Sequence, residues 1–202
     1  MKTLATTVAM VLLLTLAGNA SAAPIIPSDP DLQDLPHGYY FTWGLDWEIP
    51  EGETIISASL TFKKIYNWTE EDDDILWVHL LQGADLDVHR GDDDHEAGSY
   101  FNSEDYAGEQ ILLNAFDDLP EGRSNRANVV YNFDYTELTT LIDYSMDGNW
   151  GIGFDPDCHF YNRGIELRIE TAPVVPEPAT WTMLLVATAG LAGWTRRRFL
   201  QK

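Results

Sequence analysis

The chain has 202 residues, room for one ordinary domain, and a formal charge of −21. That charge repels phosphate backbones and argues against a nucleic-acid partner. An aromatic content of 12% argues against acidic disorder, and a single cysteine, Cys158, rules out a disulfide within the chain.

The N-terminus, MKTLATTVAMVLLLTLAGNASAAP, reads as a secretory signal over 1–22. Lys2 supplies the positive charge, Val8 to Leu16 the short apolar core, and Ala20-Ser21-Ala22 the small-residue cleavage site. The predicted product starts at Ala23. The exported domain, 23–172, then holds 32 acidic against 7 basic residues, a formal charge of −25. Such a surface suits cations or neutral ligands such as sugars.

Residues 24–36 carry Pro24, Pro27, Pro30 and Pro36 and read as an extended lead-in. Short β-like runs follow at 38–49, 55–68, 75–81, 84–89, 111–116, 129–133, 150–154 and 165–171. In the second run Ile56, Ala58, Leu60 and Phe62 share one parity, and in the last Ile165, Leu167 and Ile169 do. Between them, Tyr135 to Met146 carries a helical stripe of Leu138, Leu141 and Ile142, with Thr136 near its start and Gly148 beyond its end. The pattern predicts a mainly β protein: a jelly-roll-like β-sandwich with one short helix, an N-terminal signal helix and a C-terminal transmembrane helix.

The chain closes with a tail, 173–202. A rigid Val175-Pro176-Glu177-Pro178 precedes an uncharged apolar stretch and then Arg196-Arg197-Arg198. A helix over about 179–195 is expected to span the membrane, with Trp181 and Trp194 at its ends and the arginines on the cytoplasmic side.

These three parts, in this order, resemble the PEP-CTERM sorting tail. The resemblance implies recognition by exosortase, a membrane-embedded cysteine transpeptidase of exopolysaccharide-producing bacteria. It also implies processing near Pro176 to Pro178, passage through an inner-membrane-anchored intermediate held by the C-terminal helix, and a final place at the cell surface or in the extracellular matrix. The same tail is also labelled ice-binding protein C-terminal, but no repeated Thr-rich face gives that label an activity here. The phrases ISASLTFKKIYNW and GIGFDPDCHFYNRGIEL are similar to those of other exported domains bearing this tail.

For chemistry the richest stretch is Gly153 to Asn162, GFDPDCHFYN. Asp155 and Asp157 flank Pro156, a donor set suited to Ca2+. The alternative is structural: the two carboxylates cap a turn and Cys158 is a small buried hydrophobe. Asp85 to Glu96 misses an EF-hand loop, because Arg90 stands where the glycine belongs. Arg90-Gly91-Asp92 spells an adhesion tripeptide. No G-x-S-x-G, H-E-x-x-H, P-loop or dinucleotide fingerprint occurs, and His79 lies within an apolar strand.

The expected function is therefore that of a non-catalytic surface or matrix protein. The alternatives are a carbohydrate-binding module or adhesin for extracellular polysaccharide, and then a secreted hydrolase. Trp43, Trp47, Trp68, Trp77 and Trp150 supply the aromatic faces a sugar would need, provided at least two are exposed together.

Overall fold

A computed structural model describes residues 23–28, 30–68, 74–94 and 98–174. After a 3-10 turn at Pro30–Gln33 come β1 (Asp34–Leu35), β2 (Tyr39–Asp46), β3 (Glu53–Asn67), β4 (Leu76–Leu81) and β5 (Asp87–Asp92). A second 3-10 turn, Tyr100–Asn102, precedes β6 (Gln110–Phe116), β7 (Ala127–Asn132) and α1 (Tyr135–Tyr144). The chain then runs through β8 (Asn149–Pro156), β9 (Phe160–Tyr161) and β10 (Ile165–Pro173).

The strands form two open five-stranded sheets. In the first, β3 is central. β10 runs antiparallel along it from Phe62↔Ile165 to Glu53↔Pro173, and β9, backed by β1, extends that side at Tyr66↔Tyr161. β7 also pairs with β3. The second sheet has the order β5-β2-β8-β4-β6. The inner faces bury Leu60, Phe62 and Leu167 against Val78, Ile152 and Phe154. Phe62 meets Phe116 and Phe154 edge-on, with ring centroids 5.5 and 6.1 Å apart. Such edge-to-face contacts suit the ring quadrupoles.

The side-chain parity of β3 is reset twice along its length. Ala58, Leu60 and Phe62 face inward as their alternation predicts, but Ile56 is exposed and Ile55 is buried instead. The register shifts at this point, where Thr171 pairs with Ile55 directly after Glu170 with Ser57. One inserted residue turns every later side chain to the other face. A second irregularity, at Phe62 to Ile65, places Lys64 at φ 52 and resets the parity again. Ile65 and Asn67 then point inward, while Tyr66 and Trp68 are more exposed.

α1 begins at a capping box. Asp134 accepts from the Glu137 amide at 2.8 Å, and Glu137 accepts from the Asp134 amide at 2.6 Å. This pairing satisfies two amides that the first turn leaves open, and the helix starts at Tyr135 as its stripe predicts. Leu141 is fully buried, with Leu138 and Ile142 packed beside it. Tyr131 of β7 places its hydroxyl 2.5 Å from both Leu113 O of β6 and Glu137 Oε1, tying the helix to one strand of each sheet.

Two parts of the expected architecture are corrected. A jelly roll is built from eight strands in two Greek keys, whereas this protein has two open five-stranded sheets and β10 lies directly beside β3. The transmembrane helix does not belong to the observed fold either. Among the described residues no helix is long and apolar enough to cross a membrane. α1 has 10 residues, about 15 Å at ~1.5 Å per residue, against a hydrocarbon core of about 30 Å. The segments expected to form the signal helix, 1–22, and the membrane span, about 179–195, lie outside the described residues.

Candidate functional site

The outer face of the second sheet is built around glycines. Strand pairing puts Tyr40 opposite Gly91, Thr42 opposite Gly153, and His79 opposite Gly153 from the other side. The Tyr40 ring lies over Gly91, where a Cβ would come within 2.2 Å of it. The Phe101 ring lies over Gly153, where a Cβ would come within 2.6 Å. The missing side chains let the segment around Ser99 to Tyr106 settle onto the sheet. β8 is consequently buried on both faces from Trp150 to Pro156.

Under this segment lies a sealed polar layer of His79, Ser99 and Asp155. Gln110 Nε2 donates to Asn102 Oδ1 at 3.0 Å, which turns the Gln110 carbonyl oxygen toward His79 Nδ1, 2.6 Å away. Nδ1 therefore carries the imidazole proton, and Nε2 accepts from the Ser99 hydroxyl at 2.9 Å. Ser99 Oγ also accepts from the Phe101 amide. Asp155 Oδ2 accepts from the Tyr100 amide at 2.5 Å. Burial lowers the His79 pKa to about 4, against the opposing bond to Gln110. Burial also raises the Asp155 pKa to about 7; the Tyr100 amide opposes this, and the nearby Asp93 carboxyl adds to it. At neutral pH the layer thus holds an uncharged imidazole and a carboxyl whose protonated form burial favours.

Above the layer, Tyr40 and Tyr100 stack with centroids 3.8 Å apart and planes 6° from parallel. They form one wall of a groove of about 460 Å³, which Thr42, Gly83, Asp85, Tyr106 and Asn149 also line.

The two carboxylates singled out in the sequence serve different partners. Asp155 lies on β8 and accepts from Tyr100 N; Asp157 lies just past the strand and accepts from Trp77 Nε1 at 2.8 Å. Farther along the same stretch, Cys158 is buried with its thiol 3.1 Å from Asn67 Oδ1, and Asn162 donates to Leu32 O. Among the described residues no group of three or more His, Cys, Asp or Glu is arranged to hold a metal ion. Arg90, of the adhesion tripeptide, sits within β5 with its guanidinium 4.5 Å from the centre of the Tyr39 ring.

The tryptophans divide between core and surface. Trp43 and Trp150 are core, and Trp47 packs edge-on against Trp150. Trp68 is 55% exposed and leans on Tyr161, which also stacks with Tyr66 and His159. His159 Nε2 is 2.6 Å from Asp34 Oδ1. Tyr40, Tyr100 and Tyr106, which wall the groove, were not singled out by sequence reasoning. The signal that could have found them was the clustering of glycines opposite aromatics.

The sorting residues Val175, Pro176, Glu177, Pro178, Arg196, Arg197 and Arg198 lie outside the described residues. Their identity is settled by comparison: the PEP-CTERM protein-sorting motif matches residues 174–198. The chain thus carries the sorting signal of exosortase substrates. It is an exported, exosortase-sorted cell-surface protein. Neither a curated protein nor a solved structure matches the chain. The expected membrane partnership and inner-membrane-anchored intermediate are corrected together with the helix they required: no described helix is long and apolar enough to cross a membrane.

Proposed function

We propose that the exported domain is a non-catalytic component of the cell surface or extracellular matrix. The observation that carries this reading is the state of the His79–Ser99 pair. Its spacing is that of a base beside a nucleophile, but His79 is 0% and Ser99 5% exposed. A substrate cannot reach the hydroxyl without lifting the covering segment. The imidazole is a weak base, with its pKa lowered to about 4. Its other nitrogen faces the neutral amide of Gln110, which offers no charge to stabilise an imidazolium. The pair reads as a structural hydrogen bond.

A panel of polysaccharide and ester substrates tests this. The expected result is no turnover above the blank for the wild type, and none for Ser99→Ala. Turnover that Ser99→Ala abolishes would overturn the proposal.

A second reading, carbohydrate binding without catalysis, is favoured by the tyrosine-walled groove. Sugar sites combine aromatic faces with carboxylates and amides, and Tyr40, Tyr100, Asp85 and Asn149 bring these groups to one concavity.

A further inference from the structure

We propose that the groove beside the Tyr40–Tyr100 stack binds a segment of an uncharged glycan. This inference rests on the carbohydrate-binding reading and gives it a site and a ligand class.

Three observations lead there. First, the volume of about 460 Å³ falls within the range of about 300–1,000 Å³ typical of ligand sites. Second, the lining presents what a pyranose needs. Tyr40 lies between Gly91 and Tyr100, so the apolar ring surface for sugar C–H groups comes from Tyr100 and Tyr106. The Thr42 hydroxyl and Asn149 amide can donate to or accept from sugar hydroxyls, and the Asp85 carboxylate accepts from them. Third, charge selects the class. Asp85 and Asp105 line the groove together with His89 and Arg90; the Arg90 guanidinium rests over the Tyr39 ring, and the carboxylates outnumber it on a domain whose formal charge is −25. A uronate or sulfated chain would bring like charges together here, whereas an uncharged polyol meets no such repulsion.

In the groove, Tyr40 is backed by Gly91 and stacked by Tyr100, which fixes the wall before any ligand arrives. A wall already ordered loses little entropy on binding.

Gly83 gives a clean test. It lines the groove, its φ lies outside the left-handed region, and a Cβ there would meet only Asn149 Nδ2, at 3.8 Å. Gly83→Phe therefore fills the groove without forcing the backbone. The experiment is a glycan array carrying neutral gluco-, galacto- and manno-oligosaccharides alongside uronic-acid oligosaccharides, followed by titration with the best neutral binder. The wild type is expected to bind neutral but not uronic-acid glycans. Gly83→Phe and Tyr100→Ala are each expected to weaken binding at least tenfold while a circular-dichroism spectrum shows the fold retained. Wild-type binding that both folded variants keep would overturn the site and leave the carbohydrate-binding reading standing. Binding confined to uronic-acid glycans would overturn the ligand class. A wild type that binds nothing on the array would overturn both the site and the reading beneath it. Should Gly83→Phe fail to fold, Tyr100→Ala decides the site alone.

Discussion

Truncating Trp150 to alanine is expected to lower the stability of the domain by about 4 kcal/mol. Trp150 is completely buried on β8, opposite Leu45 of β2. Its ring meets Trp47 edge-on at 6.2 Å, and its Nε1–H donates to Trp47 O at 2.9 Å. The truncation removes packing, leaves a cavity and strands a carbonyl oxygen, and these losses act together. Domains are typically stable by about 5–15 kcal/mol, and the lone Cys158 supplies no disulfide to offset the loss. For a domain of this size a loss of about 4 kcal/mol lowers Tm by roughly 10 °C. Trp150→Phe keeps an aromatic ring but removes the donor, so it should cost less. Trp68→Ala, at an exposed position, should shift stability by no more than about 0.5 kcal/mol. Thermal melts followed by circular dichroism check the order. Equal losses for Trp68→Ala and Trp150→Ala would refute the assignment of core and surface.

The second large effect concerns pH. Asp155 has its pKa raised by burial to about 7, so the folded protein holds a proton that the unfolded chain releases near pH 4. Its contribution is fully present below pH 4 and is lost as pH rises to 7, at about 1.4 kcal/mol per pH unit at most. His79 has its pKa lowered by burial to about 4. Its contribution is present above about pH 6.5 and is lost as pH falls to 4. The two slopes have opposite signs over nearly the same window, so they largely cancel in the wild type. Asp155→Asn keeps an oxygen for the Tyr100 amide but removes the buried charge. It should be more stable than the wild type at pH 8 by about 2 kcal/mol. It should also lose stability more steeply on acidification, because His79 then acts alone. His79→Gln should show the reverse, with a lower sensitivity to acid and a steeper decline toward pH 7. Urea titrations at pH 4.5, 6 and 8 read all three slopes. Parallel pH profiles for the three proteins would contradict the buried pair.

Much of the β framework was legible in the sequence, because alternation over β10 and in the middle of β3 reports directly which face is buried. Legibility failed where the backbone departs from ideal geometry. Parity assigned Ile56 to the core, but the bulge at Glu170/Thr171 gives that place to Ile55. The fifth strand was expected at 84–89 and lies at Asp87–Asp92, since its edge position leaves it mostly exposed and without an apolar rhythm. The two-residue strands β1 and β9 carry no periodic signal at all. Trp43 and Trp47 were open between a core row and a sugar platform; Trp43 is core, and Trp47 is half-buried with its ring edge-on against Trp150. The polar layer was least visible. His79, Ser99 and Asp155 are remote in sequence, and only the folding of the Ser99 segment over Gly153 brings them together. The sorting tail is the opposite case: its meaning is carried by linear order, and the match at residues 174–198 needs no fold.

The central claim is exosortase sorting, and the C-terminus of the mature surface protein tests it most directly. Intact-mass and C-terminal peptide mass spectrometry would be applied to protein recovered from the surface fraction of an exosortase-positive host and of its exosortase-deleted counterpart. The expected result is a mature chain ending close to Pro176–Pro178 in the first host, with that species absent from the second. A surface form that retains Arg196 to Lys202 in the exosortase-positive host, or the same processed terminus in both hosts, would contradict exosortase sorting.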